Sequence, residues 1–128
     1  MSPEDYLASI INRISESDFI ANSQTLREYS NPNRAHLRMR LTFTNNTYLE
    51  FYEYIEHSDD ERIYVKSYSY HWADQNNRLI RRWDNARHFP NMDNFPHHIH
   101  LTEDEVIPGK PVNIFNILDE IEKIIATL

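Results

Sequence analysis

Arg34-Ala-His-Leu-Arg-Met-Arg-Leu-Thr-Phe43 decides the fold of this chain, because polar and apolar side chains alternate along it without a break. A period of two is typical of a β-strand that buries one face, since successive side chains point to opposite sides. The arginines and His36 would then lie on a basic face in solvent. The residues predicted to line the core are Ala35, Leu37, Met39, Leu41 and Phe43.

The same alternation returns in Tyr48–His57, which predicts a hairpin. A two-residue loop would mix the polar and apolar faces, whereas a three-residue loop, Thr44-Asn45-Asn46, places Leu41 opposite Leu49. We therefore predict that Asn46 takes the left-handed conformation of a bulged turn. The other cross-strand neighbours in this register are Arg40 with Glu50 and Arg34 with Glu56.

Further elements follow on both sides of this hairpin. Runs of aromatic and β-branched residues predict strands at Arg62–Trp72 and Arg78–Asp84, and a weaker pattern predicts an edge strand within Phe19–Tyr29. Ser2 and Pro3 are typical of a helix start, so a first helix is predicted from Pro3 to Ser17. A wide apolar stripe predicts a second helix from Ile114 to Leu128.

The element order predicts an α+β fold in which N- and C-terminal helices pack on one face of an antiparallel meander of about four to five strands. The length of 128 residues favours a single domain, 1–128. The chain has no cysteine, which excludes disulfide scaffolds, thiolate zinc sites and cysteine nucleophiles. A net charge of −7 argues against non-specific coating of nucleic acid. The acidic N-terminus and the lack of a long apolar run predict a cytoplasmic protein without membrane contact.

Chemically active side chains concentrate between Asp84 and His100, after the last predicted strand. Four of the seven histidines lie between His88 and His100, where two X-Pro steps oppose a helix. Imidazole, carboxylate and guanidinium groups crowd a segment with few aliphatic residues to bury them. The segment is therefore predicted to be an irregular, His-rich functional loop.

Three segments together resemble the TumE family: Tyr68–Trp72, Arg82–His88 and Phe95–His100. The resemblance extends over most of the chain. It implies the toxin component of a prokaryotic toxin-antitoxin pair, partnered by a small helix-turn-helix antitoxin, and it brings no reaction with it. The chain departs from the family pattern Asp-Asn-Ala-Pro-His-His, because Arg87 replaces the proline and Phe89 the second histidine.

The first chemical hypothesis is a metal-independent ribonuclease that needs no cofactor. Cleavage by the 2′-hydroxyl requires a base, an acid and positive charge on the phosphorane. His98 and His100 would be base and acid, with His88 as a third candidate, and Asp84 would fix one imidazole tautomer. The predicted substrate-binding residues are Arg82 and Arg87 for phosphate, Tyr68 and Tyr70 for stacked bases, and Asn85.

Two alternatives stay open. In a metal-dependent hydrolase, histidines two positions apart in an extended segment point the same way, while His97 points away. The candidate metal ligands are Asp84, His88, His98 and His100. In a non-catalytic protein-binding module, the sheet face or the loop captures a protein partner. The His-rich segment would then be structural, with Asp84 and Asn85 capping turns and aromatic side chains anchoring the loop. A homodimer is compatible with each alternative.

The basic strand face needs no RNA to explain it. Arg38 and Arg40 lie opposite Glu50 and Tyr52 in the predicted hairpin, which favours a solvated cross-strand network. The histidines outside the loop are predicted to be ordinary strand residues; they are His36, His57 and His71.

Overall fold

The sheet is an antiparallel meander in which every strand pairs with its neighbour in sequence. A computed structural model describes residues 1–127 and shows seven strands in the order β1-β2-β3-β4-β5-β6-β7. Leu128, predicted to end the second helix, lies outside the described residues. The elements are α1 Pro3–Ser15, β1 Ile20–Ser30, β2 Arg34–Phe43, β3 Tyr48–His57, β4 Ile63–Ala73, β5 Leu79–Asp84, β6 His98–His100, β7 Val106–Pro108 and α2 Ile114–Ala126.

The α+β class is confirmed, and the predicted strand number of four to five is too low. The additional strands are β6, within the segment predicted to be an irregular loop, and β7, between that segment and the second helix. β6 and β7 have three residues each, which is too short for an alternating pattern to stand out. β6 pairs with β5, and β7 covers the outer edge of β6. His98 and His100 therefore lie on a strand and not in a loop.

The predicted hairpin register is confirmed. Leu41 pairs with Leu49, and the oppositely charged neighbours are those expected, Arg40 with Glu50 and Arg34 with Glu56. Asn46 has a φ of 69°, the left-handed value that a three-residue loop requires.

We predict that Asn46→Ala destabilises the protein by roughly 1 kcal/mol, because alanine lacks the short polar side chain whose local hydrogen bonding lets asparagine adopt this φ. Asn46→Gly is the matched control, since glycine adopts the conformation without a steric penalty. Urea denaturation of the three proteins measures the difference. A turn unlike the one described would make the alanine and glycine variants equally stable.

Both helices pack on one face of the sheet. Their buried side chains form a single cluster with the predicted core residues of β2, including Leu37 and Leu41. α1 begins with a capping box between Ser2 and Asp5, and its buried stripe includes Leu7 and Ile10. α2 contributes a more apolar stripe, whose buried members are Ile114, Ile117, Leu118 and Ile121.

One carboxylate lies inside this core. Glu53 is 1% exposed, and it accepts hydrogen bonds from the Tyr6 hydroxyl at 2.6 Å, the Tyr70 hydroxyl at 2.5 Å and the Ile114 backbone N–H at 2.6 Å. Burial raises the pKa of Glu53, although each of these hydrogen bonds acts to lower it. The network joins α1, β3, β4 and the first residue of α2.

The other side of the sheet, which we call the open face, carries no helix from the described part of the chain. Glu50 lies 3.4 Å from Arg38 and 3.9 Å from Arg40, and the guanidiniums cover the rings of Tyr52 and Tyr48. All three charged side chains are more than one third exposed, so the predicted solvated network is confirmed. Within residues 1–127, no helix is long and apolar enough to cross a membrane.

Candidate functional site

Strand register assembles a site on the open face at the β4–β6 side of the sheet. Arg82 of β5 pairs with His71 of β4 on one side and with His100 of β6 on the other. Asp84, two residues further along β5, pairs with His98. Because side chains two residues apart share a face, these polar groups converge.

Asp84 is the centre of this site, and its side chain is 7% exposed. The carboxylate accepts hydrogen bonds from the Ala86 backbone N–H at 3.1 Å and from Arg82 Nε at 3.0 Å. His98 Nε2 lies 2.8 Å from its Oδ1, and His100 Nε2 lies 3.5 Å from its Oδ2. One side-chain atom from each of Asp84, His98 and His100 lies within 4.8 Å of the others.

His98 is held deep in the site. Its Nδ1 lies 3.0 Å from the carbonyl oxygen of Pro96, which can only accept, so Nδ1 carries a proton. The ring of Phe89 packs edge-on against it, with centroids 5.0 Å apart, and the side chain is 1% exposed. Its Nε2 is close to Asp84 but makes no hydrogen bond. His98 therefore presents a buried, unpartnered ring nitrogen to the site.

Two imidazoles beside Arg82 are more accessible. The His100 side chain is 21% exposed, and burial lowers its pKa against the opposing charge of Asp84. His71 Nδ1 lies 3.3 Å from Arg82 Nη1; burial and the guanidinium charge lower the pKa of His71. A groove of about 340 Å³ opens here, lined by Arg38, Tyr48, Glu50, Ser69, His71 and Arg82.

A family model described as Toxin TumE matches residues 8–127 of the 128-residue chain. The chain belongs to the TumE toxin family. The resemblance predicted from its motifs is thereby confirmed. No curated protein and no solved structure matches the chain. All residues of the open-face site lie within the part that matches the TumE family.

The side chains of Tyr68 and Tyr70 point into the core, so the predicted stacking of bases on these rings is wrong. Tyr68 is 4% exposed and Tyr70 is 0% exposed, because both lie on the helix-covered face of β4. The Tyr70 hydroxyl bonds to Glu53, and the Tyr68 hydroxyl lies 2.7 Å from His97 Nδ1. His97 therefore points away from the site, as predicted.

Three other predicted residues lie outside the cluster of this TumE-family toxin. His88 is exposed and does not join Asp84, His98 and His100. The Arg87 guanidinium stacks on Phe95, 4.9 Å from the ring centroid. Asn85 accepts a hydrogen bond from the Tyr68 backbone and donates one to the Lys66 carbonyl, so it fastens β5 to β4.

His71 is the site residue that sequence reasoning missed, since it was predicted to be an ordinary strand residue. Its place depends on the pairing of β4 with β5, where it lies directly opposite Arg82. The alternation of Tyr68, Tyr70 and Trp72 with polar residues was the available signal, because it places His71 on the polar face.

Proposed function

We propose that this TumE-family toxin cleaves RNA on its open face, and the observation that supports this is the row His71–Arg82–His100 across β4, β5 and β6. Adjacent strands are separated by roughly 4.8 Å, so the outer two backbones lie on the order of 10 Å apart. A phosphodiester bound to the central guanidinium would therefore have an imidazole on each side.

Arg82 is suited to hold the phosphate. Its Nε donates to Asp84, which fixes the plane of the guanidinium, and the side chain is 36% exposed. The remaining N–H groups can donate to phosphate oxygens beside the groove. Placing the phosphate there would bring the adjacent ribose against His71.

His71 fits the role of general base. A lowered pKa keeps its imidazole neutral near pH 7. Its Nδ1, which faces Arg82 Nη1 at 3.3 Å, can accept the proton of the 2′-hydroxyl once Arg82 turns to the phosphate. The 2′-oxygen then bonds to phosphorus, and the bond from phosphorus to the 5′-oxygen breaks. The leaving 5′-oxygen faces the Asp84–His98–His100 cluster, which must supply either a proton or a positive charge.

The metal-independent hypothesis gave this second role to His98 or His100. Burial keeps His98 from contacting a substrate, which leaves His100 as the proton donor in a metal-free reaction, although its lowered pKa disfavours the protonated form that this role requires. The candidate site is therefore a pair of imidazoles on two strands, and not a pair within one loop.

The family assignment supports a toxin, and we propose that RNA cleavage is the activity by which it inhibits growth. We propose that a small helix-turn-helix antitoxin neutralises it and that the reaction takes place in the cytoplasm, where RNA is accessible. Co-expression of the neighbouring gene is expected to restore growth and intact RNA together. Restored growth with RNA still cleaved would show that RNA cleavage is not the cause of the growth inhibition.

Purified protein is expected to cleave a labelled single-stranded oligoribonucleotide and to leave a 2′,3′-cyclic phosphate. We predict that His71→Asn lowers the initial rate by about 100-fold, the usual contribution of one acid–base group. His57→Asn, which changes a histidine remote from this groove, is the matched control. RNA that stays intact both with divalent ions and with chelator would refute the proposed function.

A further inference from the structure

We infer that Asp84, His98 and His100 bind a divalent transition-metal ion. The inference deepens the proposed function and rests on it for the role of the ion in RNA cleavage. The three side chains come from two paired strands, β5 and β6, and their ligand atoms lie within 4.8 Å of one another. One ion can therefore contact all three without a change of backbone.

The geometry of His98 is the observation that favours an ion over an ordinary histidine–aspartate hydrogen bond. Its Nδ1 donates to the Pro96 carbonyl, and its buried Nε2, although 2.8 Å from Asp84 Oδ1, makes no hydrogen bond. A histidine that donates one ring N–H to a carbonyl and offers the other nitrogen is the usual arrangement in a metal site.

The surroundings also fit a metal site. Asp84 is oriented by the Ala86 N–H and by Arg82, as metal-binding carboxylates are oriented by outer hydrogen bonds. Phe89 packs edge-on against His98 and His100, while the His100 side chain stays 21% exposed. The cluster is therefore shielded at His98 and accessible at His100, which lies on the strand next to Arg82.

The donor set indicates which ions fit. Two imidazole nitrogens and one carboxylate oxygen suit Zn²⁺, Mn²⁺ and similar ions better than Ca²⁺ or Mg²⁺, which prefer oxygen. Three protein ligands leave a coordination position open for water or for a substrate oxygen. The neighbouring Arg82 charge opposes a cation, so we expect binding that a strong chelator reverses.

At this position, the ion would supply the positive charge that the leaving 5′-oxygen needs. His71 would remain as the base on the other side of Arg82. This division of roles accounts for a buried His98, which contributes a ligand without contacting RNA.

Metal binding is tested on chelator-treated protein without RNA. Titration with Zn²⁺ by calorimetry, and with Co²⁺ as a visible-absorbance probe, is expected to show one ion per chain. His98→Gln and His100→Gln should each weaken binding by more than the roughly 10–100-fold that loss of an outer partner costs. His97→Gln is the matched control, because it changes the adjacent histidine on the opposite face and should bind one ion.

Ion binding and RNA cleavage are measured separately, so the metal site and the ribonuclease activity can each fail without the other. Equal ion binding by wild type, His98→Gln and His100→Gln, or no binding by wild type, overturns the metal site. His100→Gln keeps the test decisive if His98→Gln fails to fold, because His100 is partly exposed. RNA cleavage that persists in chelator refutes the ion's role and leaves the ribonuclease standing, whereas a bound ion without cleavage refutes the ribonuclease alone.

Discussion

Replacing Glu53 by alanine is expected to lower the free energy of unfolding by roughly 3–5 kcal/mol. The change removes the acceptor of two buried hydroxyls, on Tyr6 and Tyr70, and of the Ile114 backbone N–H. Each buried donor left without a partner costs about 1–3 kcal/mol, and rotation of the hydroxyls recovers part of the total. Thermal unfolding should therefore begin at a temperature lower by roughly 10–20 °C.

Glu53→Gln is the control that keeps the shape of this network. Its amide oxygen can accept from Tyr70 and Ile114, while its NH₂ group donates to the Tyr6 hydroxyl oxygen. We expect this variant to stay close to wild type in stability. An alanine variant as stable as the glutamine variant would show that the hydrogen bonds contribute little to folding.

Comparing wild type with Glu53→Gln also tests how the stability contributed by Glu53 changes with pH. Burial raises the pKa of Glu53 above its ordinary value of 4.5. Between pH 4.5 and the raised pKa, the folded state therefore keeps a proton that the unfolded state has lost. The stability that Glu53 contributes is thus fully present below pH 4.5 and is lost as the pH rises through the raised pKa. Wild type should weaken relative to Glu53→Gln over that interval, as measured by urea denaturation at several pH values.

For Glu53, the sequence predicts the face of the sheet on which the side chain lies but not the residues it contacts. The alternation in β3 places this glutamate on the same face as Phe51 and Ile55, which was a sign of a buried carboxylate. Its partners, however, lie on α1, β4 and α2, at separations of 47, 17 and 61 residues. A periodic pattern identifies the face of a residue and does not identify a distant partner.

The same limit explains which parts of the site could be predicted. The β2–β3 hairpin register was predicted correctly because local turn geometry and the alternation of two adjacent strands determine it. The grouping of Asp84, His98 and His100 was predicted from their residue types, but their strand geometry depends on the thirteen-residue excursion between β5 and β6. His88, within that excursion, could not be placed from composition alone.

Because of the alternation in β4, neighbouring side chains of the segment Tyr68–Trp72 lie on opposite faces of the sheet. Tyr68 and Tyr70 point into the core, while Ser69 and His71 lie on the open face. Stability on one face and chemistry on the other are therefore encoded in adjacent residues. Substitutions in this motif should divide into two classes, those that lower the melting temperature and those that lower activity.

Asp84→Asn is expected to have the largest effect on activity, with RNA cleavage reduced by roughly 1,000-fold. The carboxylate orients Arg82, lies against His98 and His100, and supplies the negative charge of the inferred metal site. One substitution therefore disturbs phosphate positioning and charge stabilisation together. Ion binding should be lost in the same preparation.

Folding should survive this change, because the asparagine oxygen can still accept from the Ala86 N–H. Its NH₂ group would face Arg82 Nε, a mismatch that costs about 1–3 kcal/mol. Asp74→Asn is the matched control, since Asp74 also accepts backbone hydrogen bonds, in the turn that joins β4 and β5. If Asp84→Asn cleaved RNA at the wild-type rate while folded, Asp84 could not be the centre of the site, and the chemistry of this toxin would have to lie elsewhere on the sheet.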